Sequence, residues 1–350
     1  MVEGTDTDTT PTDRQREILR RVVEEYVESG EPVGSKNLVT RGGMTVSPST
    51  VRADLAELER LGLLTHPHTS AGRVPTEAGY RFYADSLLER LEPRPSPFPL
   101  DLPAARSELE SALQETTESL SQATRLLALV SAPPLQTATV RHIEVLVLQP
   151  QVLMVVMITS TGGVSKRLFA LAEPVDAGLA LWAGEYLNEQ LAGLELGSAV
   201  FRRRFEDPAL SAREREFLEL LRPAFTELAG EDDQRLFVGG AASLLGEVRS
   251  DELEACQRLL EALEKRAAIL EMLGETLGTR RPFVRVGGEL ESHALRDVAL
   301  VGASYGLSTR TLGAVSLLGP LRMDYEKAIR SVRAAAYELS RFVESVYEDN

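Results

Sequence analysis

The sequence predicts an α+β protein of several domains that opens on a winged helix-turn-helix. Three observations predict it. Three helical patterns run directly into a short hairpin. A proline cluster (Pro93, Pro95, Pro97, Pro99 and Pro103) then marks a linker. Beyond it come three strand patterns, a long helical interruption and three further strand patterns, an antiparallel sheet with a mainly helical insert. At 350 residues the chain exceeds one ordinary core.

Thr12 is a natural N-cap for a first helix running to Ser29, with Gly30 past its end. Ile18, Leu19, Val22, Val23, Tyr26 and Val27 give it one apolar stripe. Gly34-Ser35 opens a short second helix through Leu38 and Val39, which Gly42-Gly43 breaks. Ser47 caps the third helix, Pro48 fits its first position and Gly62 its end. Val51, Leu55, Leu58 and Leu61 point inward, which leaves Ser49, Thr50, Arg52 and Ala53 on the outward face. Leu63–His66 reads as a strand, 67–72 as a turn and Arg73–Pro75 as the returning strand. Thr76 caps a further helix to about Leu91.

After the linker, a helix is expected from about Ala104 to Leu129. Ile143–Leu148, Val152–Ile158 and Val164–Leu171 read as antiparallel strands, with a hairpin turn at Thr161-Gly162-Gly163. The stretch from about Val175 to Thr279 is mostly helical, apart from a short apolar piece at Leu236–Val238. Strands resume at Phe283–Val286, Val298–Ala303 and Thr311–Leu318, and a long helix capped by Asp324 closes the chain.

The net charge of -15 argues at first against nucleic acid, because a phosphate backbone wants a basic partner. The charge distribution answers this. Between Thr12 and Arg81 acids and bases balance, and the excess acid lies elsewhere. That suits a neutral DNA reader with local basic contacts and excludes a nonspecific DNA coat. The N-terminal end of the third helix presents Ser, Thr and Arg, which hydrogen-bond base edges in a major groove. The candidate DNA contacts are Ser35, Lys36, Ser47, Ser49, Thr50 and Arg52, with His68, Thr69, Ser70 and Arg73 in the wing. The same element order also serves as a protein-interaction module, so order alone does not decide.

Other chemistry is poorly represented. His66 and His68 lack a nearby Cys or paired carboxylate, so wing packing or phosphate contact suits them better than metal. His142 and His293 read as structural or solvated, and Arg202-Arg203-Arg204 as a solvated face. Gly239-Gly240 and Gly287-Gly288 are turn glycines outside any phosphate-loop pattern. No nucleophile with its base, paired acids or metal set stands out, so neither enzyme nor cofactor is expected. Lone Cys256 fits a reducing cytoplasm, the N-terminus lacks a signal pattern, and no apolar run is long enough to span a bilayer.

Leu253, Cys256, Leu260, Leu263, Ala267 and Leu270 follow an a/d pattern that Leu277 continues. The pattern fits a dimer seam or an ordinary core helix equally well.

The strings Thr12–Leu19, Gly30–Ser35, Ser47–Arg52 and Pro67–Thr76, with Gly79-Tyr80-Arg81, resemble the HrcA family of heat-inducible transcription repressors. The distant block Gly319–Tyr325 agrees. The resemblance implies a winged-helix domain, a GAF-like domain and a dimerising domain inserted into the GAF-like one. It also implies repression of chaperone operons through an inverted-repeat operator on double-stranded DNA, as a homodimer, with activity dependent on the chaperonin. Family members commonly carry Asn where this chain has Ala53. The expected division is a disordered tail 1–11, a DNA-binding domain 12–92, a linker 93–103, a GAF-like domain in two parts, 104–174 and 281–350, and a dimerising insert 175–280. The Gly319–Tyr325 block itself reads as a structural strand-to-helix turn. The alternative function is a small-molecule-sensing winged-helix regulator that uses the GAF-like domain.

Overall fold

The computed structural model describes residues 10–40, 46–67, 72–92, 94–95, 109–133, 138–160, 163–225, 236–247, 253–264, 281–292 and 295–348. The head begins with α1 (Asp13–Ser29), α2 (Ser35–Thr40) and α3 (Pro48–Arg60). Strands β1 (Leu64–Thr65) and β2 (Val74–Pro75) form its antiparallel hairpin, and α4 (Glu77–Glu89) completes it. The caps work as their residue types dictate. Thr12 and Gln15 close a capping box, Ser47 Oγ accepts from the Thr50 N–H, and Gly30 takes the left-handed conformation at φ 67°.

The body contains two sheets. One has the strand order β7-β3-β10-β9-β8, built from β3 (Leu127–Ser131), β7 (Leu236–Gly239), β8 (Phe283–Val286), β9 (Val298–Leu307) and β10 (Arg310–Pro320). The other is the three-stranded meander β4 (Val140–Gln149), β5 (Val152–Thr159) and β6 (Val164–Ala170). Both sheets are antiparallel. Helix α5 (Leu109–Thr124) and the closing helix α11 (Tyr325–Glu348) cover one face of the five-stranded sheet. On the other face, α9 (Ala241–Glu247) and α10 (Leu253–Glu264) contribute Leu244, Cys256 and Leu259 to a core with Leu127, Leu129 and Leu300. The meander has its own core, made with α6 (Ala177–Leu191), α7 (Ala199–Arg203) and α8 (Ala212–Leu221) around Ile143, Leu153, Leu187, Phe217 and Phe225.

Three sequence expectations change here. The helix expected to reach Leu129 ends at Thr124. Arg125 turns left-handed at φ 59°, and Leu127–Ser131 becomes a fully buried central strand. A continuous apolar run of this length has no periodicity to separate it from buried helix. The strands at 140–170, expected to share a sheet with 283–318, instead pair only with one another, so the expected boundary at 174/175 runs between β6 and the helices that share its core. Over its described part, 253–263, the a/d pattern packs partly against its own chain. Cys256 is 4% exposed and Leu263 is half-buried, both packed toward the five-stranded sheet of the same chain. Leu253 is exposed, Leu260 is half-buried, and Ala267, Leu270 and Leu277 lie outside the described residues.

The head also lies closer to the body than a proline linker suggests. Ile18, Leu55, Tyr80, Val284, Val301 and Tyr325 belong to one continuous core. The Tyr80 and Tyr325 rings stack with centroids 5.8 Å apart, and Tyr83 meets Tyr325 edge-on at 6.3 Å.

Candidate nucleic-acid interface

Helix α3 is held by its inner face and left open at its N-terminal end. Val51, Leu55 and Leu58 are buried against Ile18, Leu19 and Val22 of α1. Ser47, Ser49, Arg52 and Ala53 are exposed, and Thr50 is half-buried. Ser47 Oγ lies 2.7 Å from Ser49 Oγ and 2.9 Å from Thr50 Oγ1, so three hydroxyls cluster at the helix start. Pro48 has no N–H and the Thr50 and Val51 N–H groups bond to Ser47, so the Ser49 N–H and the clustered hydroxyls are what this end offers to a phosphate.

The guanidinium groups of the head divide into two sets. Arg14 donates from Nε to Asp54 Oδ2 at 2.8 Å and from Nη2 to Oδ1 at 3.1 Å. This fork ties the start of α1 to α3 through a carboxylate that is itself 4% exposed. The pairing raises the Arg14 pKa above its ordinary value, chiefly through the hydrogen bond to Asp54. Arg20 and Arg21 bond to Glu17, and Arg20 also bonds to Glu24. Hydrogen bonding by Arg20 is the first cause that draws the Glu17 carboxyl down to about 2. Arg60 pairs with Glu57. Arg52, by contrast, is exposed on the outward face and has no ion-pair partner among the described residues. Lys36 is likewise exposed in the first turn of α2, whereas Ser35 faces inward at 9% exposure.

The hairpin is fastened to α3 by one carboxylate. Glu59 receives His66 Nδ1 from the outgoing strand and, at 2.9 Å, Arg73 Nη2 from the returning side. Arg73 is 17% exposed at its side chain and exchanges both backbone hydrogen bonds with Val33 at 2.8 Å. It therefore acts here as a strut between wing and helix rather than as an extended arm. Gly72 passes so close to the α1–α2 connection that an added Cβ would lie 2.5 Å from the Val33 carbonyl. The wing-tip candidates His68, Thr69 and Ser70 lie outside the described residues.

Sequence reasoning missed both carboxylates that organise this site. Asp54 looks like any polar residue on an amphipathic helix. The one available signal is its position one turn before Leu58, on the side of α3 turned toward α1. Among the described residues, no group of three or more His, Cys, Asp or Glu is placed to hold a metal, and no helix is long and apolar enough to cross a membrane.

Residues 110–329 match the family model described as the HrcA protein C-terminal domain. A heat-inducible transcription repressor HrcA of Parafrankia sp. is 37% identical, over 93% of this chain and 96% of that protein. The corresponding proteins of Nocardioides sp. and Thermobifida fusca are 38% and 37% identical, over 95% and 93% of this chain and 98% and 94% of theirs. A crystal structure of a hypothetical protein shares the fold with a TM-score of 0.64 at 24% identity, covering 96% of this chain and 100% of that one. An outward helix end on a compact head, carried by a body that these repressors share along its length, defines a transcription regulator. The chain belongs to the HrcA family of heat-inducible transcription repressors.

Proposed function

We propose that the head is a winged helix that reads an inverted-repeat operator on double-stranded DNA, with the chain acting as a dimer. The observation that carries this reading is Arg52, exposed beside the Ser47–Ser49–Thr50 hydroxyls while the arginines around it are held by carboxylates. Arg52 forks onto a guanine edge, Ser49 and Thr50 contact adjacent bases or phosphate, and Ser47 and Lys36 meet the backbone. His68, Thr69 and Ser70 reach DNA from the wing tip, while Arg73 and Glu59 set the wing's angle.

The dimer reading draws support from the outer face of the meander. There Leu146, Met154 and Leu168 lie in one cross-strand row, and Ile158 pairs with Val164 in another. Val164 is 66% and Leu168 62% exposed, and contiguous exposed apolar side chains of this kind suit an interaction surface. Glu144 and Lys166 flank Val156 on opposite strands, so a two-fold axis along β5 brings each onto its opposite in the second copy. The five-stranded sheet with α5 and α11 corresponds to the GAF-like domain, and the meander unit is the dimerising insert. The chaperonin partner rests on the family resemblance and on the strand connectivity taken up in the Discussion.

Fluorescence anisotropy with a labelled inverted repeat, a single half-site and a scrambled duplex, across a salt series, tests the reading. The full repeat binds tightest, one dimer per duplex. Leu168→Glu reduces its affinity to that of the half-site. Equal binding to all three duplexes by folded protein overturns the proposal.

A further inference from the structure

A cavity of about 360 Å³ opens at the far end of the five-stranded sheet, where the β9–β10 hairpin meets α11. Its floor is apolar, with Ala303, Leu307 and Ala336. Its walls carry three arginines, Arg281, Arg310 and Arg333, and no carboxylate among the described lining residues. Arg310 is paired with Glu195, so Arg281 and Arg333 supply the local positive charge in a chain of net charge -15. Arg310 is fixed from behind, its Nη1 3.3 Å from both Glu195 oxygens. Arg281 stands exposed at the rim without an ion-pair partner among the described residues. Arg333 donates from Nη2 to the Glu92 carbonyl at 2.6 Å, just beyond the end of α4. Pro95, in the same departing segment, lines the cavity too. One wall is therefore made by the chain that leaves the DNA-binding head.

We propose that this cavity binds a small organic anion, an apolar body bearing a carboxylate or phosphate, and that its occupancy lowers operator affinity. The planar guanidinium fork matches both acid groups. The apolar floor takes the body, and the volume lies in the range of small-ligand sites. A bound anion competes with the Glu92 carbonyl for Arg333, which loosens the segment that fixes α4 and with it the head. Anion and operator then oppose each other by the same factor in either direction. The binding half stands alone, and the effect on DNA rests on the repressor reading above.

Isothermal titration of the full chain with benzoate, phenyl phosphate, benzamide and inorganic phosphate tests it. Benzoate or phenyl phosphate binds once per chain, and the tighter of the two identifies the acid group. Uncharged benzamide and bare phosphate bind at least about tenfold more weakly, the usual effect of losing one charge-assisted hydrogen bond or the buried apolar body. Arg281→Gln weakens the anion about tenfold and leaves unliganded operator affinity unchanged. Arg333→Gln weakens the anion and abolishes its effect on operator affinity. Absence of saturable binding by both organic anions, or unchanged affinity in Arg281→Gln, overturns the site. Anion binding with unaltered operator affinity overturns the coupling. Anion binding by a chain that binds no operator at all supports the cavity and overturns the repressor reading instead.

Discussion

Arg52 and Glu59 lie two turns apart on α3 and do opposite jobs. Arg52 projects from the helix start, while Glu59 turns back to hold His66 and Arg73. Residue type alone does not separate an arginine that reads DNA from one that braces a wing. The partner decides, and the partner of Arg73 is a helix residue that the linear sequence places well before it. This is why the sequence offered Arg52 and Arg73 as equals. Ser35 is a similar case, since its place at a helix start suggests phosphate contact but it faces the core. If Arg52 forks onto a base as proposed, Arg52→Ala lowers discrimination between operator and scrambled duplex by about 1–3 kcal/mol. The ratio of the two affinities, measured by anisotropy at one salt concentration, reads this directly. A ratio equal to wild type assigns the base contact elsewhere. Ala53, exposed beside it, offers no hydrogen bond to a base.

At the scale of elements, legibility followed locality. Helices α1 and α3 begin and end where Thr12, Gly30, Ser47 and Pro48 place them, because capping is settled within a few residues. The Gly319–Tyr325 block is the expected strand-to-helix turn, with Asp324 accepting from the Lys327 N–H at 2.9 Å. Its Arg322 also donates to the Val27 carbonyl at the end of α1 at 2.8 Å, a contact no local pattern announces. The role of α4 was equally hidden. Strand β8 is the edge of its sheet, and its outward Val284 carbonyl accepts from Arg81 of α4. Arg81 also lies 3.2 Å from Glu289, and Glu77 Oε1 accepts from the Gly288 N–H at 2.6 Å. A Cβ at Gly287 would meet only the flexible end of the Glu77 side chain, so what calls for glycine there is the left-handed backbone at φ +55°. Helix α4 thus covers an open sheet edge that would otherwise invite pairing with another chain. Arg81→Ala strips the Val284 carbonyl of this donor, and the accompanying ion pairs are half-exposed and add little. The expected loss is about 1–3 kcal/mol. In calorimetry the head and the five-stranded sheet, one transition in wild type because they share a core, separate into two. A single, unshifted transition in the variant removes α4 from this role.

The whole molecule explains what local patterns could not. Leu127–Ser131 is buried along its full length, yet both its neighbours come late in the chain. Leu127 lies opposite Leu318, and Ala128 opposite Gly239. The entire meander unit, with its separate core, is built between β3 and these partners. A sequence window sees five apolar residues after a helix and cannot see pairing so remote, so β3 reads as helix and the meander strands stand in for it. The same connectivity bears on folding. During synthesis β3 emerges long before β7 and β10, and unpaired apolar strands aggregate. Closing such nonlocal pairs is slow, because the loop entropy opposes them before the contacts form. On the proposed reading, activity depends on reaching the native sheet, and heat, by diverting chaperonin to other clients, removes repressor. Dilution of the pure chain from urea at growth temperature therefore returns only a minor fraction of operator-binding protein, and chaperonin with ATP raises that fraction several-fold. The competing loss is intermolecular, so lowering the protein concentration also raises the spontaneous yield. Quantitative recovery without chaperonin, at full operator affinity and independent of concentration, would place the heat response outside the folding of this sheet.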